Sequence, residues 1–185
     1  MTRPRAYLAG PDVFLPDPKR AAAAKKELCL RYGIDGVFPL DAELDLGKLA
    51  PRDAGLAIGR ANESLIRSCQ LVIANLTPFR GPSADPGTAY EVGFARALGL
   101  PVFGYSNAAT DFATRARAFV SERPDGLAIE SFGLFDNLML ANAIEESGGA
   151  LVAVAAPEAE LHTSLAAFEK CLEAARRRLT ASRTA

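Results

Sequence analysis

Tryptophan is absent from this chain, histidine occurs once, cysteine three times and methionine twice among 185 residues. Each scarcity excludes something. A single histidine, His162, set late among Pro, Glu and Thr, argues against a Ser-His-Asp triad and against a multi-histidine metal site. It reads as an exposed residue at a helix start. Cys29, Cys69 and Cys171 are odd in number and lack metal-ligand spacing, so they read as reduced thiols of a cytoplasmic protein. No apolar run reaches membrane-spanning length, and the opening MTRPRAYLAG carries no long apolar core of a secretory signal. Neither sign of charge dominates: 21 Lys and Arg face 22 Asp and Glu. Without a basic stripe, nucleic acid is not an expected partner. Repeats and a second domain are lacking too, and the length suits a single α/β domain over residues 1–185.

What the chain does have is concentrated between Leu71 and Tyr105. Leu71-Val72-Ile73-Ala74 reads as a buried parallel strand. A loop rich in Pro, Gly and Ser follows, and Asp85-Pro86-Gly87-Thr88 opens a helix ending near Gly99-Leu100-Pro101. A further strand spans Val102 to Tyr105. The long loop therefore lies at the carboxyl end of a strand, where open α/β sheets bind ligands. Asp85 and Glu91 sit there. With Asp85 as N-cap and Pro86 as first helical residue, Glu91 falls in the second turn, on a face that continues through Phe94, Ala95 and Leu98. A partly buried carboxylate near a helix N-terminus can be held ionised by the helix dipole, which makes a nucleophile or base. Thr88-x-x-Glu91 also fits a capping box.

In chain order, Ala6 to Ala9 reads as the first, central strand, turning at Gly10-Pro11. The loop to Pro18 holds Asp12, Phe14 and Asp17, the last an N-cap for a helix from Pro18 to about Tyr32, closed by Gly33. Phe14 is either a core plug, the preferred reading of the residue itself, or a stacking face for a flat ligand. Gly36 to Leu40 reads as a second strand. The polar segment Asp41 to Asp53 is either a lid or a long connection. A helix from Ala54 to Ser68 turns Ile58, Leu65, Ile66 and Cys69 inward, and Asn62 falls on that stripe, where its amide needs partners. It either bonds a strand end, the preferred role, or reaches a ligand. Asp111 to Glu122 reads as a helix with Arg115 and Arg117 on its solvent side. Glu130 to Leu140 is very apolar for a connection, which suggests a subunit interface or ordinary intrachain packing. Leu151 to Ala155 is the last strand. Ser164 to Leu179 is the last helix, with Arg176 to Arg178 suiting its C-terminal dipole, and the final residues are expected to fray.

Strands alternating with helices predict a three-layer α/β/α sandwich around a five-stranded parallel sheet, flavodoxin-like or Rossmann-like, in the order 2-1-3-4-5. That order places the loops Gly10 to Phe14 and Thr77 to Glu91 beside one pocket.

These residues carry a resemblance. Tyr7-Leu8-Ala9-Gly10-Pro11, the segment 73–81, the Asp85-x-Gly-Thr-Ala-x-Glu91 core, and Phe132-Gly133-Leu134 with Asn137-Leu138-Met139-Leu140 resemble the nucleoside 2-deoxyribosyltransferase family. The resemblance implies that Glu91 attacks C1′ of a deoxynucleoside and expels the base, and that a second base then takes the sugar with net retention. It implies that Tyr7 orients Glu91, and that Asp85 bonds the base and passes protons. It makes Gly10, Asp12, Phe14, Asn62 and Gly87 substrate-binding, with Phe14 flanking the base and Asn62 touching sugar or base. Asn137 and Met139 would complete the site of a neighbouring subunit in a homo-oligomer built from dimers. No metal and no organic cofactor is implied. An N-glycoside hydrolase of deoxynucleosides or their 5′-monophosphates is the alternative, with Arg80, Gly81 and Ser83 as candidates for a phosphate cradle. A non-catalytic nucleotide-binding module is the third reading, although Gly10-Pro11-Asp12 fails the dinucleotide pattern.

Overall fold

A computed structural model describes residues 3–181. Strands β1 (Arg5–Ala9), β2 (Asp35–Val37), β3 (Leu71–Asn75), β4 (Val102–Ser106) and β5 (Leu151–Ala153) form one parallel sheet in the order 2-1-3-4-5. The middle strand is β3, with β1 beside it. All five β3 residues are buried, as expected of a strand covered by helices on both faces. The described helices are α1 (Pro18–Arg31), α2 (Pro51–Arg67), α3 (Pro86–Ala97), α4 (Phe112–Ser121), α5 (Leu138–Glu146) and α6 (Ala166–Ala181).

The period-two alternation of a strand divides the core. Ala6 and Leu8 face α1 and α6, and they pack with Leu28, Cys29, Phe168 and Cys171. Tyr7 and Ala9 face the other way and pack with Ile66 of α2, Val92 of α3 and Ile144 of α5. Ala9 pairs with Ala74, and Asn75 with Tyr105. The loops after β1 and β3 therefore leave the same sheet edge side by side.

Several boundaries differ from the sequence reading. β2 ends at Val37, and Pro39–Asp41 forms a 3-10 turn. The Asp41 carboxylate, which accepts from the Phe38 amide at 2.9 Å, closes the strand there. α2 starts at Pro51, three residues earlier than expected, since proline suits a first helical position. Ile66 of α2 and Cys69 just beyond it are buried, but Ile58 is 41% exposed, because it faces an open cavity. On α3 the inward stripe uses Val92 and Ala95, while Leu98 is the half-exposed C-cap. β5 stops at Ala153, and α6 starts two residues later than predicted, at Ala166. The fraying expected at the chain end falls on residues outside those described.

The apolar connection is only partly a connection. Asn137, whose side chain accepts from the Met139 amide at 3.1 Å, caps α5, a helix that the sequence reading lacked. Arg115 is not on the solvent side of α4. Its Nε donates to the Pro82 carbonyl at 2.8 Å and its Nη2 to the Phe135 carbonyl at 2.7 Å, with Asp136 at 3.4 Å. Carbonyls of irregular buried loops need donors, and the guanidinium fork supplies several at once. Arg117 is exposed, as expected, and donates to Ser131 at 3.0 Å.

Candidate active site

Helix α3 begins where the sequence places it. The Asp85 carboxylate caps it, with Oδ2 accepting from the Thr88 amide at 2.9 Å and the Thr88 hydroxyl at 3.2 Å. Thr88 is thus inside the helix, and the Thr88–Glu91 capping box does not form. Oδ1 of Asp85 accepts from no described residue. In the second turn of this helix, Glu91 is 9% exposed and points at the sheet.

Tyr7 on β1 is fully buried and donates its hydroxyl to Glu91 Oε1 at 2.6 Å. Asn62 Nδ2 on α2 reaches the same oxygen at 3.4 Å. Glu91 Oε2 receives no hydrogen bond from any described residue. Burial dominates the titration of Glu91 and raises its pKa to about 7. The Tyr7 hydrogen bond pulls it down, and the charge of Asp85 pushes it up. Desolvation thus outweighs the Tyr7 hydrogen bond that favours the ionised form. Burial, followed by the neighbouring Glu91, pushes the Tyr7 hydroxyl far above its ordinary value, so it acts as a donor and not as an acid.

Glu91, Asp85 and Asn62 are the polar side chains of a cavity of about 440 Å³. Gly10 and Gly87 lie on its wall. A Cβ at Gly10 would come within 2.6 Å of Asp12 Oδ2 and 2.7 Å of Asn75 Cβ, so only glycine lets the β1 loop pass this close to β3. The remaining wall is apolar, made by Val13, Phe14, Leu40, Leu44, Leu46 and Ile58. Leu44 and Leu46 show that the segment 41–53 borders the cavity. Phe14 is 58% exposed and stacks on Phe79, with centroids 5.4 Å apart, so it is a cavity rim and not a core plug. The Oδ1 atom of Asn62 is buried with no hydrogen-bond partner among the described residues.

Not every residue singled out in the sequence meets this cavity. Asp12 turns to the opposite face of the sheet, where it pairs with Lys25 at 2.6 Å and accepts from Asn75 at 3.1 Å. Asn137 and Met139 lie off the cavity wall. Asn137 Nδ2 donates to Glu130 at 2.5 Å, and Met139 is 64% exposed. The Ser83 hydroxyl is engaged with Asp136, which also accepts from the Ala84 amide at 3.0 Å. Arg80 holds a left-handed backbone (φ 54°) and lays its guanidinium over Phe79 and Phe14, at 4.8 and 5.5 Å. His162 is not an exposed helix start: it is half-buried in the turn before α6, edge-on to Phe79 at 6.4 Å.

Sequence reasoning missed Val13, Leu40, Leu44 and Leu46 as cavity walls. The signal was there, since three leucines recur within an otherwise polar stretch. It also missed the Asp12–Lys25 pair, for which no local signal exists. Among the described residues no group of His, Cys, Asp and Glu is placed to hold a metal ion, and no helix is long and apolar enough to cross a membrane.

Comparison with known proteins gives concordant results. The profile of a family described as nucleoside 2-deoxyribosyltransferase matches residues 6–139. A 2-deoxyribosyltransferase from Leishmania mexicana is 30% identical and superposes with a TM-score of 0.64, covering 92% of this chain and 97% of the other. A conserved protein from Enterococcus faecalis shares the fold at 22% identity, with a TM-score of 0.61 and coverage of 95% and 99%. An uncharacterized protein of Schizosaccharomyces pombe is 31% identical over 167 residues, covering 79% of each chain.

Proposed function

Because the chain belongs to the nucleoside 2-deoxyribosyltransferase family, we propose that it moves 2-deoxyribose from one nucleobase to another through a covalent deoxyribosyl-Glu91. The observation that carries this reading is the Glu91 carboxylate itself. It is buried on an apolar cavity, with one oxygen held by Tyr7 at 2.6 Å and the other free.

Glu91 Oε2 attacks C1′ of a 2′-deoxynucleoside as the C1′–N bond breaks. The bonding electron pair leaves with the base, which takes a proton from Asp85 through its uncommitted Oδ1. The acceptor base then gives a proton to Asp85 and attacks C1′, and Glu91 departs as carboxylate. Two inversions give net retention, the logic of a retaining glycosidase with an oxocarbenium-like transition state. Such a displacement needs no metal or organic cofactor. Tyr7 fixes Oε1 and favours the ionised, nucleophilic form. Phe14 flanks the base, and Gly10 and Gly87 let it approach the backbone. The unsatisfied Asn62 Oδ1 accepts from a sugar hydroxyl or a base N–H, which removes the cost of a buried bare acceptor.

The cavity wall offers two carboxylates and, among the described residues that line it, no Lys or Arg. That lining supports a nucleoside over a dianionic 5′-phosphate as the substrate. Asn137 and Met139, which lie away from their own cavity, complete the site of a second copy in a dimer or a multiple of dimers.

The test is a chromatographic assay with deoxyinosine as donor, with and without adenine. Deoxyadenosine formed only with adenine supports transfer. Free hypoxanthine released equally without an acceptor would replace this reading with hydrolysis.

A further inference from the structure

A second cavity, of about 510 Å³, lies on the opposite face of the sheet between α1 and the turn before α6. It exceeds the catalytic cavity in volume, and nothing in the proposed reaction uses it. Its opening has a simple origin in sequence. Ala21 and Ala24 stand on the α1 face toward it, and their small side chains leave the space unfilled. Leu15, Pro16 and Leu165 extend the apolar side of the wall, and Asp17, Arg20, His162, Thr163 and Ser164 make its polar side.

The floor is polar and fully buried. Lys25 Nζ bonds Asp12 Oδ1 at 2.6 Å and the Tyr105 hydroxyl at 2.6 Å. An ammonium carries three donors, and the third finds no oxygen or nitrogen acceptor among the described residues, Nζ lying 5.3 Å from the centroids of the Tyr105 and Phe168 rings. Tyr105 is 1% exposed, and its hydroxyl accepts from Lys25 but donates to no described residue. The two buried donors thus left over border the cavity. Beside them stands the Asp12 carboxylate, which keeps acceptor capacity after its bonds to Lys25 and Asn75. The buried charges already balance, plus one against minus one. A charged ligand would upset that balance, whereas a neutral one would not.

Donors adjoining an acceptor, on a charge-balanced floor, complement a C=O beside an N–H. We propose that this cavity is a second binding site for a neutral ring bearing a cyclic-amide edge, the edge shared by oxopurine and oxopyrimidine bases. The carbonyl accepts from Tyr105 and Lys25, and the ring N–H donates to Asp12. The site is distinct from the Glu91 cavity and does not rest on the catalytic reading.

The experiment compares binding stoichiometry by equilibrium dialysis, with hypoxanthine and uracil as probes, in the wild-type chain and in Ala24→Leu. Leucine fills the hollow without touching the Glu91 cavity. The expected result is that Ala24→Leu binds one equivalent fewer of each probe per chain, while adenine, which lacks the carbonyl, binds both proteins equally. Tyr105→Phe, which keeps the ring and the ion pair, should weaken the affected site about tenfold, the effect of one lost hydrogen bond. Equal hypoxanthine stoichiometry in wild type and Ala24→Leu would overturn the site. Loss of an adenine equivalent as well would overturn the cyclic-amide assignment. Both outcomes are read from binding alone, so they stand apart from any failure of the deoxyribosyl-transfer assay.

Discussion

At the residue scale, the role proposed for Glu91 is set against stability. Its folded pKa of about 7 lies above the ordinary 4.5 because burial disfavours the charge. A raised pKa means that the native state binds its proton more tightly than the unfolded chain does. The stabilisation is therefore fully present below pH 4.5 and is lost as pH rises through about 7. The loss amounts to about 3 kcal/mol at pH 8. Glu91→Gln should abolish transfer. Relative to wild type, it should also gain up to about 3 kcal/mol of stability between pH 4.5 and 8. Denaturant unfolding at the two pH values reads the second effect. For wild type, the pH–rate profile should rise through about 7 as the nucleophile ionises. Tyr7→Phe removes the hydrogen bond that opposes the upward shift, so the rising limb of that profile should move to higher pH while the fold persists. An unshifted limb would show that Tyr7 does not tune Glu91.

At the element scale, Asp85 caps α3 and, in the proposed reaction, carries the proton, and substitution can separate the two. Asparagine caps helices about as well as aspartate, whereas alanine costs about 1 kcal/mol. Asp85→Asn should therefore keep the melting temperature and lose turnover, and Asp85→Ala should lose both. A fully active Asp85→Asn enzyme would exclude proton transfer by this side chain. The loops around α4 depend on Arg115, which bonds the carbonyls of Pro82 and Phe135 and faces the buried Asp136. Arg115→Met should cost about 3 kcal/mol, because it strips buried oxygens of their donors. Thermal unfolding checks this. Helix α5 shows why some elements escape a sequence reading. Its boundary signals, the N-cap type Asn137 before Leu138 and Gly148-Gly149 after its end, are masked by the apolar run Leu138-Met139-Leu140, which reads as an interface or packing segment.

At the scale of the whole molecule, the proposed sharing of Asn137 and Met139 between subunits has a direct test. Glu91→Ala and Asn137→Ala are each expected to be inactive. Mixed after dissociation, they should regain activity, since a heterodimer pairs one doubly damaged site with one intact site. About a quarter of all sites would then be whole. No recovery in a mixture that demonstrably exchanges subunits would place Asn137 outside the neighbour's site.

Much of this protein was legible from the chain alone, because the signals were local. The apolar run at β3, the Asp85-Pro86 helix start and the spacing to Glu91 are set by backbone sterics and by which side chains avoid water. These suffice for the strand order and for a carboxylate at a strand end. Tertiary structure decided what depends on partners distant in sequence. Tyr7 meets Glu91 across 84 positions, and their closeness sets a pKa that no local pattern encodes. Phe14 reads as core by its hydrophobicity and proves to be a cavity rim. Arg115 reads as surface by its charge and proves to be an internal clamp. Asp12 faces away from the pocket because Lys25 draws it to the other side of the sheet. In each case the deciding quantity is the free energy of desolvating a group against a particular neighbour, and that neighbour exists only once the chain has folded.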